Sequence, residues 1–196
     1  MDERIAIATQ AVIQIRDSRT GKLITALTGH DEGITSLAWA PDGKRIASTS
    51  WDGTARIWDV ATKKVVATLK LPHDDRKICW SPDGTRLAII GNRDVEIWNI
   101  EDRKLELQYQ DGDQIHAIAW SPGGQFIATS GWGHQITIWH ASTGETALVL
   151  TGHTSPVTSL CWNPSGTRLA SGSEDQVVRI WDINSRGELL SLRGHT

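Results

Sequence analysis

Short runs of alternating apolar and polar residues fill the chain, and each run is cut off by turn residues. In residues 34–39, Ile-Thr-Ser-Leu-Ala-Trp, the run stops at Pro41-Asp42-Gly43. Pro presets φ and Gly tolerates positive φ, so this tripeptide reads as a turn. A second run covers residues 45–49, and a turn follows at Asp52-Gly53. Residues 54–58 alternate small or polar with apolar side chains, and a fourth run lies at 64–69. Such short alternation is the signature of strands, and no stretch combines helical periodicity with helix caps. The pattern predicts an all-β chain.

The pattern also repeats. The segments SLAWAPDGKRIA, KICWSPDGTRLA, AIAWSPGGQFIA and SLCWNPSGTRLA align on Trp39, Trp80, Trp120 and Trp162. A second ladder, Trp58, Trp98, Trp139 and Trp181, has the same period of about 41 residues. Pro41, Pro82, Pro122 and Pro164 occupy one equivalent turn. The four units span 34–69, 76–109, 115–150 and 157–192. Residues 4–17 (RIAIATQAVIQIRD) align without gaps to 86–99 (RLAIIGNRDVEIWN), so 4–27 reads as a unit of three strands that lacks its first. One four-stranded unit cannot bury both faces alone. Units of this period pack radially as the blades of a β-propeller. The expectation is a single domain over 1–196, with four complete four-stranded antiparallel blades and one three-stranded partial blade.

Composition narrows the class. The chain has 196 residues, a net charge of −3 and no basic block, so neither nucleic acid nor a membrane surface is an expected partner. No apolar run approaches a membrane span, and the N-terminus lacks the pattern of a secretion signal. A cytoplasmic location is expected. Ten Trp stand against one Phe and one Tyr, and the two ladders account for eight of them. Only Trp51 and Trp132 are left over. Cys79 and Cys161 fill the slot that Ala38 and Ala119 fill in the other units, which suits a small packed side chain and not a metal ligand. Gly21-Lys22 lacks the rest of a phosphate loop. No metal and no cofactor are expected.

The units resemble the WD-repeat (tryptophan–aspartate) β-propeller family. Gly29-His30, Gly152-His153 and Gly194-His195 open units, and Trp58-Asp59 and Trp181-Asp182 close third strands. The second and third units match less well, with Pro72-His73 and Trp98-Asn99 in one and Trp139-His140 in the other. The resemblance implies a hydrogen-bonded chain through His30, Ser48, Asp52 and Trp58, and another through His153, Ser171, Asp175 and Trp181. Their role is structural, because satisfied buried networks rigidify a fold and a nucleophilic site is normally single. The third unit keeps Thr129 and Trp139 but has Gly133 where Asp is expected. The Ser and Asp of the second unit have no evident counterpart.

The resemblance implies a non-catalytic scaffold that binds a protein or peptide through one end of the propeller, the top face. Trp51, Trp132 and Glu174 lie in the turn between second and third strands that would face that end. Beside them would stand Gly33 and Thr35, Gln114 and His116, Pro156 and Thr158, with Arg76 as an approximate match. His134 and His140 join no ligand set. The alternative is a structural or assembly unit without a specific ligand face, and an enzyme is not expected. The missing first strand also suggests an incomplete ring, either a piece of a longer protein or a chain that self-associates to close it.

Overall fold

A computed structural model describes residues 3–71 and 76–194, apart from the side chain of Arg76. His73 and His195 of the repeat-opening positions lie outside the described residues. Among the described residues there are nineteen strands and no helix. An N-terminal sheet of three strands comprises β1 (Arg4–Thr9), β2 (Val12–Asp17) and β3 (Leu23–Thr28). The first four-stranded sheet holds β4 (Ile34–Trp39), β5 (Arg45–Ser50), β6 (Thr54–Asp59) and β7 (Lys64–Lys70). The second holds β8 (Arg76–Trp80), β9 (Arg86–Gly91), β10 (Asp94–Asn99) and β11 (Lys104–Gln110). The third holds β12 (Ile115–Trp120), β13 (Phe126–Gly131), β14 (Ile136–His140) and β15 (Thr146–Leu150). The fourth holds β16 (Val157–Trp162), β17 (Arg168–Ser173), β18 (Val177–Asp182) and β19 (Gly187–Arg193). Every neighbouring pair is antiparallel and sequential, as tight turns require.

Turn chemistry explains the hairpins. Gly43, Gly84, Gly124 and Gly166 close the same first turn, all with φ between 65° and 75°, where a Cβ is costly. The gapless match between 4–17 and 86–99 reappears as two matching hairpins. Each has a two-residue loop that opens on a residue of positive φ, Gln10 in one and Asn92 in the other.

The sheets stack first strand against first strand, β4 on β8, β8 on β12 and β12 on β16, while β1 lies on β4. The core is therefore divided into four apolar layers, one between each successive pair of sheets. Ile57 and Leu69 of the first sheet meet Ile78, Trp80 and Leu87 of the second. Ile90 and Ile97 meet Ile115 and Ile127. Ile136 and Ile138 meet Val157 and Leu169. The N-terminal sheet supplies Ile13, Ile15 and Leu27 against Ile46 and Trp58.

A polar seam reinforces these layers. The Arg4 guanidinium lies over Trp39, Arg45 over Trp80 and Arg86 over Trp120, at 5.1–5.5 Å. Each of these pairs spans two neighbouring sheets and adds a cation–π attraction to the apolar contact. At the next junction Phe126 stands where Arg would, and packs in the same layer as Trp162. Cys79 is partly buried beside the layer between the second and third sheets, and burial pushes its thiol up to about 12. Cys161, in the same slot of the fourth sheet, is exposed.

Candidate functional site

The loops between second and third strands, and those leading into first strands, meet at one end of the sheets. The amide of Trp51 donates to the Gly33 carbonyl (2.9 Å), that of Trp132 to Gln114 (3.1 Å) and that of Glu174 to Pro156 (3.0 Å). The structure thus brings together Trp51 with Gly33, Trp132 with Gln114, and Glu174 with Pro156. Gly33 lies under the ring, and a Cβ there would crowd it, at 3.1 Å from Trp51 Cδ1. The Trp132 ring stands edge-on to His116, centroids 5.5 Å apart. Both indoles remain about half exposed, 49% for Trp51 and 54% for Trp132.

Thr35, His116 and Thr158 share a backbone feature. In the first, third and fourth sheets the register between first and second strand slips at these residues, between Ile34 and Ser36, Ile115 and Ala117, and Val157 and Ser159. A bulge re-aims the extra side chain and bends the strand. Thr35 Oγ1 lies 2.9 Å from Thr49 Oγ1, and the Thr158 hydroxyl donates to the Gly172 carbonyl (3.4 Å). The second sheet has no slip there, and Arg76 pairs directly with Gly91. By register Arg76 holds the position of Ile34, Ile115 and Val157, not that of Thr35, His116 and Thr158.

Below this end lie the braces. In the first sheet Asp52 Oδ2 accepts from His30 Nδ1–H (2.7 Å), which leaves Nε2 to accept the Ser48 hydroxyl (2.7 Å). Ser48 Oγ in turn accepts the Trp58 indole N–H (2.8 Å). The carboxylate sets the tautomer from which the rest follows. His153, Asp175, Ser171 and Trp181 repeat the chain at 2.7, 2.7 and 2.8 Å. Burial opposes ionisation of Asp52, but hydrogen bonds from the Thr54 hydroxyl, His30 and the Asp31 amide outweigh it and hold its pKa at about 2. Burial lowers the His30 pKa, against the pull of Asp52. Gly29 and Gly152 make room, since a Cβ on Gly29 would meet Trp58 at 3.1 Å and one on Gly152 would meet Trp181 at 3.2 Å. Both serine hydroxyls are buried and spent on His and Trp.

The other two full sheets satisfy the same indole by different means. In the third, Trp139 donates to Thr129 Oγ1 (2.7 Å), whose hydroxyl donates to Asp111 Oδ2 (2.8 Å). Asp111 precedes Thr129 by 18 residues, the offset of His30 from Ser48. That fixed offset was the available signal for this residue. Burial, with help from the neighbouring Asp113, raises the Asp111 pKa despite the bonds from Thr129 and Gly112. In the second sheet Ile89 pairs where Ser48 would, and Trp98 turns instead to Glu96 (2.8 Å) on its own strand. The aligned residues of the N-terminal sheet do the same, with Arg16 donating to Gln14 at 3.0 and 2.8 Å. Among the described residues, no group of three His, Cys, Asp or Glu is arranged to hold a metal, and no helix is long and apolar enough to cross a membrane.

Radially stacked four-stranded sheets with a Trp brace in each define a β-propeller built of WD repeats, and the chain belongs to the WD-repeat propeller family. The family model for the WDR19 first beta-propeller matches residues 35–192. The chain is 36% identical over 118 residues to Protein HIR1 of Cryptococcus neoformans, covering 56% of this chain and 13% of that protein. It is 30% identical over 161 residues to the human intraflagellar transport protein 122 homolog, covering 80% of this chain and 13% of that protein. THO complex subunit 3 of Arabidopsis thaliana is 32% identical over 111 residues, covering 55% of this chain and 35% of that protein. The chain thus spans about an eighth of the first two relatives and about a third of the last.

Proposed function

We propose that this chain is a non-catalytic interaction module that recognises a protein or peptide segment with the loop end carrying Trp51, Trp132 and His116. The observation behind this reading is that the two tryptophans outside the repeat both sit at that end, half exposed, each backed by a loop carbonyl. Large amphipathic rings held in place contribute much to binding at low entropic cost, and Trp is enriched among interface hot spots. Gly33, Thr35, Gln114, Pro156, Thr158 and Glu174 would form the rest of the rim. Assembly with other proteins fits the relatives, one of which is by name a THO complex subunit and another an intraflagellar transport protein.

The test uses Trp51→Ala and Trp132→Ala. Both are expected to melt with the parent and to weaken binding to a partner recovered by pulldown by about 2 kcal/mol each. Calorimetric titration of the purified partner reads the change. Unchanged affinity with unchanged melting would remove the binding role and leave a structural or assembly unit as the better reading.

A further inference from the structure

The turns that join first to second strands and third to fourth strands meet at the end of the sheets opposite Trp51 and Trp132. Between the second and third sheets they enclose a groove of about 440 Å³, lined by Arg86, Gly124, Gln125, Phe126, His140 and Ser142. The third sheet departs from the repeat here twice. Where the first sheet pairs Arg45 with Asp59, and the fourth Arg168 with Asp182, the third pairs Phe126 with His140. Its first turn reads Pro122-Gly123-Gly124, against Pro41-Asp42-Gly43 in the first sheet. Two carboxylates of the first sheet, Asp42 and Asp59, thus become Gly123 and His140.

The second observation is a guanidinium that has lost its acceptors. Arg45 donates to Asp42 Oδ2 in its own turn (2.8 Å) and to Gly84 O in the next sheet (3.0 Å). Arg86 holds the same position one sheet on, over the Trp120 ring at 5.5 Å. There Asp83 is turned away, accepting the Ser81 hydroxyl (2.5 Å) and the Thr85 amide and hydroxyl (3.0 and 2.8 Å). Ser81 and Thr85 stand where the first sheet has Ala40 and Lys44, which offer no hydroxyl. The other acceptor, Gly124 O, is taken by the Trp120 indole (3.1 Å). Asp83 feels the Arg86 charge without pairing with it. Among the described residues, the side chains of Arg86, Gln125, His140 and Ser142 make no hydrogen bond or ion pair within the protein. His140 only packs on Phe126, centroids 5.2 Å apart. On the adjoining turn, Glu145 accepts the Thr143 hydroxyl (3.4 Å).

We infer that this groove binds the phosphate group of a phosphomonoester. Arg86 supplies a planar fork of N–H donors, Gln125 an amide N–H, Ser142 a hydroxyl and His140 a ring N–H. That is more than the two oxygens of a carboxylate can use, and it suits the three terminal oxygens of a monoester. Phe126 offers an apolar wall to the group that carries the phosphate. The groove lies between two complete sheets, away from both ends of the chain, and the inference does not rest on the proposed loop-end partner.

The probes are phenyl phosphate, inorganic phosphate and benzoate, each titrated into the chain at constant ionic strength while the Nε–Hε resonances of Arg86 and Arg45 are followed by NMR. Both phosphates should shift Arg86 saturably and leave Arg45, whose guanidinium is already occupied, in place. Benzoate should bind about fivefold more weakly than phenyl phosphate. Arg86→Lys should weaken phenyl phosphate about tenfold, since a point charge cannot replace the fork. Gln125→Ala and Ser142→Ala, at exposed positions that leave the packing intact, should weaken it about threefold each. Absence of a saturable shift overturns the inference, as does an equal shift at Arg45. Phenyl phosphate affinity unchanged in both alanine variants overturns it as well. Benzoate binding as tightly as phenyl phosphate would assign the groove to carboxylates and overturn it too.

Discussion

The first and third sheets hold the same indole in the same place and anchor it to opposite chemistry. In the first, Trp58 leans on Ser48, His30 and an ionised Asp52. In the third, Trp139 leans on Thr129 and then on Asp111, and Gly133 stands where the second carboxylate would be. The near end is fixed by a buried N–H that must find an acceptor, here a hydroxyl. The far end is free to vary, because any acceptor within reach satisfies that hydroxyl. The cost of the variation is electrostatic. Asp52 is stabilised as an anion, and Asp111 is not.

The largest test of this comparison removes the rings. Trp58→Ala is expected to cost ~3–5 kcal/mol, a large part of a typical domain's stability, and to exceed Trp139→Ala, because it also strands the Ser48–His30 bond. Chemical denaturation of both variants checks this, and equal losses would mean that the His–Asp end adds nothing.

Acid should then separate the two sheets. The Asp52 pKa is lowered on folding, so its stabilisation is present above pH 4 and is lost as the pH falls towards 2. His30, lowered by burial, acts in the same direction as the unfolded chain takes up protons below about pH 6.5. Asp52→Asn should cost on the order of 2 kcal/mol at pH 7 and little at pH 2, read from denaturation midpoints at the two values.

Asp111 has the reverse sign. Its pKa is raised on folding, so its favourable contribution exists below the ordinary carboxylate range and fades as the pH rises through the folded value. Asp111→Asn should therefore raise the melting temperature at pH 7 and leave it unchanged at pH 3. A loss at pH 7 would show that the anion is the favoured form. The smallest effect is expected from rebuilding the missing brace. Asp111→His with Gly133→Asp should gain about 1 kcal/mol, provided Asp113 swings aside, since its Oδ2 lies 2.4 Å from a Cβ placed on Gly133. Gly133→Asp alone adds a third carboxylate beside two and should destabilise, which a double-mutant cycle on the pair would resolve.

Most of the architecture was legible because blades are copies. The two tryptophan ladders, the Pro-Asp-Gly turns and the gapless match of 4–17 to 86–99 are statements about period, and period survives translation into strands. The two His–Asp braces were legible only through the family resemblance, which implied them. Asp111 escaped because the third unit has no Gly-His pair, and only the offset of 18 residues to Thr129 marks it. Glu96 escaped because the acceptor moved to a different strand when Ile89 replaced the hydroxyl. The bulges at Thr35, His116 and Thr158 leave no residue-type signal at all, since a slip of register is a property of two strands together. The three-strand count of the N-terminal sheet was legible in the same gapless match.

The Arg–Trp seam has a consequence for how the molecule comes apart. Among the described residues each sheet packs chiefly on its neighbours, so stability is close to a sum over junctions and opening is a sequence of local events. The three junctions bridged by Arg4, Arg45 and Arg86 should part later than the one where Phe126 interrupts the seam. Amide protons of β5, β6, β9 and β10, flanked by guanidinium-bridged junctions on both sides, should then be the last to exchange with solvent, and those of β17 and β18 among the first.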